Sequence, residues 1–150
     1  METTRANTPV TRIVDESDTG LEIHSRERKE VVIVAGELQG LFDLRAFYGA
    51  TDAAPYFGLH NASTPWSGDI DRCSPHVNVS KWKTPTLILH GEKDYRVPVG
   101  EALALFEALQ AHGVDSELVV YPDENHWILR PRNIRHWYGT VIDFLDRRLG

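Results

Sequence analysis

The chain has 150 residues, of which 41% are hydrophobic and 25% charged, and its formal net charge is -6. That is the length and composition of one globular domain, and the acidic balance excludes nucleic acid as the main partner, because phosphate binding needs a basic face. One cysteine, Cys73, excludes an internal disulfide, and no apolar run is long enough to span a bilayer, so neither a disulfide scaffold nor a membrane protein is expected.

Residues 1–30 read as a polar leader with little fixed structure. The charged cluster His24-Ser25-Arg26-Glu27-Arg28-Lys29-Glu30 offers nothing to a core, and Thr11-Arg12-Ile13-Val14 is a candidate edge strand. Met1–Thr11 lacks the apolar segment of a secretory signal, so a cytoplasmic setting is expected, or a periplasmic one if the chain is cut from a longer exported parent. Val31-Val32-Ile33-Val34-Ala35 is an unbroken β-branched run closed by Gly36, the pattern of a parallel strand buried on both faces. Residues 40–82, rich in Gly, Pro, Asn, Asp and aromatics, predict a long, mostly irregular stretch with short helical turns.

Thr84-Pro85-Thr86-Leu87-Ile88-Leu89-His90 is the next strand, with Pro85 at its start, where a missing N–H is tolerated. A loop over 91–98 leads into a helix over 99–112, with Leu103, Phe106 and Leu109 as its apolar stripe and Gly113 as C-cap. Ser116–Tyr121 is the third strand, 122–126 a second loop, and 133–148 a final helix with Trp137, Val141, Phe144 and Leu145 on one side. Strand and helix alternate, which predicts an α/β fold: a parallel sheet with right-handed crossovers and flanking helices. In such sheets chemistry collects at the C-terminal ends of the strands, where both loops lie.

Those loops carry an acid, Asp94, and a base, His126, separated by 32 residues, which one crossover helix and one strand fill. Acid before histidine is the chain order of a hydrolase triad on such a sheet. A buried carboxylate accepting the imidazole N–H fixes its tautomer and stabilises the imidazolium during acyl transfer. Other polar residues read more plainly. Trp66, Trp82, Trp127 and Trp137 are core and loop anchors, and His90 is structural. Asp43-Leu44-Arg45 orders the long stretch through local ion pairs, and Asp69, Asp71 and Arg72 form a solvated turn. His60, His76, His90, His112 and His136 have no metal-ligand spacing among themselves or with Cys73, so no metal and no cofactor are expected.

The run Lys83-Thr84-Pro85-Thr86-Leu87-Ile88-Leu89-His90-Gly91-Glu92-Lys93-Asp94-Tyr95-Arg96-Val97-Pro98 and the run Tyr121-Pro122-Asp123-Glu124-Asn125-His126-Trp127 resemble the prolyl oligopeptidase family of serine peptidases, in its dipeptidyl-peptidase and acylaminoacyl-peptidase branches. Gly40–Gly49, Ser74-Pro75, Pro131-Arg132-Asn133 and His136-Trp137-Tyr138 carry further likeness, which covers about residues 31–149. The resemblance implies the C-terminal part of an α/β-hydrolase catalytic domain over 31–150, with its early strands and gating β-propeller missing. It implies that Asp94 and His126 are the triad acid and base, and that Arg96 holds a substrate carbonyl.

The family's Gly-x-Ser-x-Gly elbow, which should precede Val31, is absent: none of the seven serines (17, 25, 63, 67, 74, 80, 116) has glycine two before and two after. A peptidase fragment that is inert alone is therefore expected, acting on peptides only when a serine-bearing chain complements it. The alternative is a non-catalytic interaction module, docking a second copy or a partner chain through an exposed sheet edge. An esterase using an unorthodox serine is the weakest reading.

Overall fold

A computed structural model of the chain describes residues 12–17, 20–24, 30–35, 40–61, 64–66 and 70–149. Three strands, β3 (Glu30–Ala35), β4 (Thr86–Gly91) and β5 (Ser116–Tyr121), lie side by side and parallel. Helix α3 (Val99–Ala111) links β4 to β5, and α4 (Pro131–Leu149) follows β5. The strands read as apolar runs because both faces are covered. Alternate residues serve opposite layers: Val31, Ile33, Leu87 and Leu89 pack with Tyr121 and Phe144 of α4, while Val34 and Ile88 pack with Ala102, Leu105 and Leu109 of α3. Phe144 is fully buried and centres the α4 layer. Gly113, at φ 68°, turns the chain out of α3, where its missing Cβ avoids the strain of the left-handed region.

The parallel sheet and both helices agree with the sequence reading, with α4 two residues longer at its start than expected. The buried stripe of α3 differs: it runs through Ala102, Leu105 and Leu109, with Phe106 partly buried and Leu103 50% exposed. Positions 102, 105 and 109 repeat at helical spacing, and Leu103 lies about 100° around from that seam.

The stretch over 40–82 is more helical than expected. It forms α1 (Leu44–Ala50), α2 (Ala54–Asn61) and 3-10 turns at Ile70–Cys73 and Pro75–Lys81. Asp43 caps α1 by accepting from the N–H groups of Arg45 and Ala46, instead of pairing with Arg45. Arg45 reaches 26 residues on, donating to both oxygens of Asp71 at 2.7 and 2.9 Å. The ion pair is thus long-range, not local, and joins α1 to the turn at Asp71, which is more than a solvated turn. Of the tryptophans, Trp82 and Trp137 anchor packing as expected, whereas Trp66 and Trp127 are exposed.

Residues 1–30, read as a leader, contain two strands, β1 (Arg12–Ser17) and β2 (Gly20–His24). They form a hairpin, and β2 pairs antiparallel with β3, placing Leu21 opposite Ile33 and Ile23 opposite Val31. The β1 strand overlaps the candidate edge strand at 11–14. Two alternating apolar residues in β2, set among charges, leave too faint a period to read from sequence. The edge of β3 is therefore paired, and the outer strands of the described sheet are β1 and β5. Among the described residues no helix is long and apolar enough to cross a membrane.

Glu101 lies in the first turn of α3 and is 3% exposed. Its Oε2 accepts the N–H groups of Phe42 and Asp43, both at 2.8 Å, tying the start of the 40–82 stretch to α3. Burial raises its pKa, against the pull of those two N–H donors. An acid whose folded pKa is raised lends stability at low pH, below its unfolded value, and loses it as pH rises through the folded value. Glu101→Gln keeps an acceptor for both donors without the charge. It is expected to melt progressively higher than the parent as pH climbs above the ordinary carboxylate range. Glu101→Ala leaves both donors unpaired, at about 1–3 kcal/mol for each one that stays buried. Thermal melts of the three proteins across pH check this, and a parallel shift of parent and Glu101→Gln with pH would count against it.

Candidate active site

Pairing of β4 with β5 continues to Gly91 opposite Tyr121, so the two strands end level and their following loops start together. The loops are sewn by main-chain bonds: Glu92 N–H donates to Tyr121 O at 2.9 Å and Lys93 N–H to Glu124 O at 2.9 Å. The approach is so close that a Cβ on Gly91 would stand 2.1 Å from Asn125 O. This is the physical reason for glycine at the end of β4.

The first loop presents Asp94, which is 2% exposed. Oδ1 accepts the N–H groups of Arg96 at 2.9 Å and Val97 at 2.8 Å, a turn closed by the residue's own side chain. Oδ2 is left for His126 Nδ1, at 2.9 Å. An ionised carboxylate only accepts, so Nδ1 carries a proton, which in the neutral ring leaves the lone pair on Nε2. The imidazole is partly exposed, its edge turned at 82° to Trp127 with ring centroids 5.5 Å apart. An imidazole oriented from behind by a buried carboxylate, with its Nε2 bonded to none of the described residues, has the arrangement a general base requires.

His90 supports the same loop. It is 2% exposed, and its Nε2–H donates to Val97 O at 2.8 Å, so residue 97 is held at both its N–H and its carbonyl. Burial pushes the His90 pKa down, which keeps the ring neutral 3.6 Å from Asp94 Oδ2. The structural reading of His90 thus gains a specific partner. Behind the second loop, Tyr121 is buried and shares a 3.1 Å hydrogen bond with His136 Nδ1 of α4. Burial pushes its hydroxyl up to about 12.

Arg96 offers its backbone N–H to Asp94, but its exposed side chain turns to Asp52, with Nε 2.7 Å from Oδ1. Thr51 Oγ1–H donates to Arg96 O at 2.7 Å and Asp52 N–H to Tyr95 O at 2.8 Å. The link between α1 and α2 is therefore laced to the acid's loop, and the Tyr95 side chain stands exposed beside it.

One described serine touches a histidine: Ser74 Oγ lies 2.7 Å from His76 Nδ1. It is 1% exposed, accepts from Leu44 N–H at 2.9 Å and lies 3.3 Å from Phe42 O. These contacts spend the hydroxyl on holding the chain at 42–44. Among the described residues no cluster of His, Cys, Asp or Glu is arranged to hold a metal.

Glu124 is a buried carboxylate that no sequence motif marks. This residue, 5% exposed, accepts from Leu129 N–H at 3.1 Å, Arg130 N–H at 2.9 Å and Asn133 Nδ2 at 2.7 Å. Burial alone raises its pKa, but the Asn133 amide and the two backbone donors outweigh that and hold it below the usual carboxylate range. No periodicity marks a carboxylate in a loop. Asn133, nine residues later at the start of a helix, is the one hint.

The model of the prolyl oligopeptidase family matches residues 29–150. Dipeptidyl-peptidase 5 of Porphyromonas endodontalis is 40% identical over 116 residues, covering 73% of this chain and 17% of that protein. Dipeptidyl-peptidase 5 of Schizosaccharomyces pombe is 37% identical over 110 residues, 71% of this chain and 16% of that protein. The chain thus spans under a fifth of the length of these relatives. Among solved structures, the acylaminoacyl peptidase of Pyrococcus horikoshii superposes with a TM-score of 0.71 at 21% identity, covering 78% of this chain and 20% of that one. That likeness shows the fold: three parallel strands with flanking helices, part of an α/β-hydrolase.

Proposed function

Because this chain belongs to the prolyl oligopeptidase family of serine peptidases, we propose that it supplies the acid–base half of a peptide-bond hydrolase. The observation that carries this reading is the 2.9 Å bond from His126 Nδ1 to the buried Asp94, at the ends of two adjacent parallel strands. In this reading His126 Nε2 takes the proton from a serine hydroxyl as its oxygen bonds to the scissile carbonyl carbon. The imidazolium is stabilised by Asp94 and then gives the proton to the leaving amine as the C–N bond breaks. Water repeats the cycle on the acyl-serine ester, and the hydroxyl is restored.

The serine must come from a segment with the elbow pattern, which no serine of these 150 residues has. The chain by itself is accordingly read as inert and becomes active when a serine-bearing segment of a related catalytic domain complements it. A triad works as a unit, so two of its members keep no share of the activity. By likeness to the dipeptidyl-peptidase relatives, the substrate of the completed site is a peptide. Arg96 is the residue proposed to hold a substrate carbonyl, after releasing Asp52. A cytoplasmic setting belongs to the same reading, or a periplasmic one if the chain is part of a longer exported parent.

A fluorophosphonate probe and a chromogenic dipeptide anilide test the proposal on the purified chain. No labelling and no turnover are expected alone, and both are expected after mixing with a serine-bearing segment. Covalent labelling of a serine in the isolated chain would overturn the reading.

A further inference from the structure

We propose that Glu124 is a positioning residue for His126: it closes the loop that carries the imidazole and so keeps Nδ1 against Asp94. This inference rests on the peptidase reading, since it assigns a support to that reading's general base.

The loop is held at both ends through this one residue. Its carbonyl faces the acid's loop, accepting from Lys93 N–H at 2.9 Å, while its N–H donates to Tyr121 O at the end of β5 at 3.3 Å. Its side chain faces the other way, to Leu129 N–H, Arg130 N–H and the Asn133 amide. Arg130 O accepts from Ile134 N–H, so those donors lie where α4 begins, and a negative charge there also meets the positive end of the helix.

The chain from 124 to 130 is thereby a ring fastened by a carboxylate, and His126 lies inside it. Within the ring Trp127 N–H also donates to Asn125 Oδ1 at 3.0 Å. Burying a charge for capping is costly unless all its partners are in place. The geometry shows a residue bonded at once to the acid's loop, the histidine's loop and the helix behind them.

Both carboxylate oxygens accept from donors, so Glu124→Gln is the informative change. It keeps size and shape but turns an N–H₂ group onto at least one donor. Asn133→Ala is the gentler partner change, which removes one donor and leaves the charge.

Solution NMR of the 150-residue chain reads the outcome through the His126 tautomer and the solvent exchange of its Nδ1 proton, beside circular dichroism and melting. In the parent the proton is expected on Nδ1 and slow to exchange. In Glu124→Gln, with the fold kept, exchange is expected to be at least about tenfold faster and the tautomers mixed, by analogy with losing the orienting partner of a metal-bound histidine. Asn133→Ala is expected to fall between, and it carries the test if Glu124→Gln does not fold. A lowered melting temperature with His126 exchange and tautomer unchanged would reduce Glu124 to a structural cap and overturn the inference. A parent protein with its proton on Nε2 would instead overturn the Asp94–His126 reading itself, and the inference with it.

Discussion

When the chain is reconstituted with a serine-bearing segment, His126→Ala is expected to lower kcat by about 10⁶-fold and Asp94→Asn by about 10⁴-fold. The histidine carries the proton in both halves of the reaction, so its loss leaves only what binding and oxyanion contacts provide. The asparagine effect follows from the site's own geometry. Oδ1 of Asp94 faces two backbone donors, the N–H groups of Arg96 and Val97. In Asp94→Asn the amide oxygen must stay there, because the N–H₂ group would oppose those donors. The N–H₂ group is then left facing His126 Nδ1, which has to become an acceptor. The imidazole proton moves to Nε2, the atom that should receive the serine proton, and the base is blocked without any change of shape. Steady-state kinetics of the reconstituted enzyme give the rate losses, and long-range ¹H–¹⁵N correlation gives the tautomer. Losses under tenfold in both variants would remove the pair from the chemistry.

Gly91→Ala is expected to have the largest effect on stability, about 3 kcal/mol or more, with loss of the native site. The added Cβ would stand 2.1 Å from Asn125 O, 2.8 Å from Glu124 O and 2.9 Å from Asn125 C, all main-chain atoms. No side chain can swing aside to relieve them. The second loop has to retreat, and the bond from Lys93 N–H to Glu124 O breaks with it. Gly139, inside α4, is the control: a Cβ there meets nothing within 4 Å. Gly139→Ala is therefore expected to stabilise by about 1 kcal/mol, the helix-propensity difference. Urea denaturation of the two variants should move the midpoint in opposite directions. A Gly91→Ala midpoint equal to the parent's would mean that the two loops are not packed as described.

Glu101 and Glu124 mark where sequence reasoning stopped. Glu101 was partly legible, because it sits four residues before Leu105 and eight before Leu109, on the buried seam of α3. A carboxylate on such a seam asks for donors, but nothing nearby in the chain says that Phe42 and Asp43, about 59 residues away, supply them. The turn of Arg96 toward Asp52 was hidden in the same way, since those residues are 44 apart.

The amino-acid sequence by itself determined the parallel strands β3, β4 and β5, the helices α3 and α4, and the pairing of Asp94 with His126. Each of these follows from local chemistry: apolar runs and stripes set the periods, Pro and Gly set the ends, and two matched strand–loop units bring their loops level. Only the tertiary structure decided which polar groups satisfy one another: the helical course of 40–82, the hairpin against β3, and the carboxylates beneath the site. A buried donor or acceptor takes whichever partner the fold brings near, and that nearness comes from packing between distant segments, which no local pattern records.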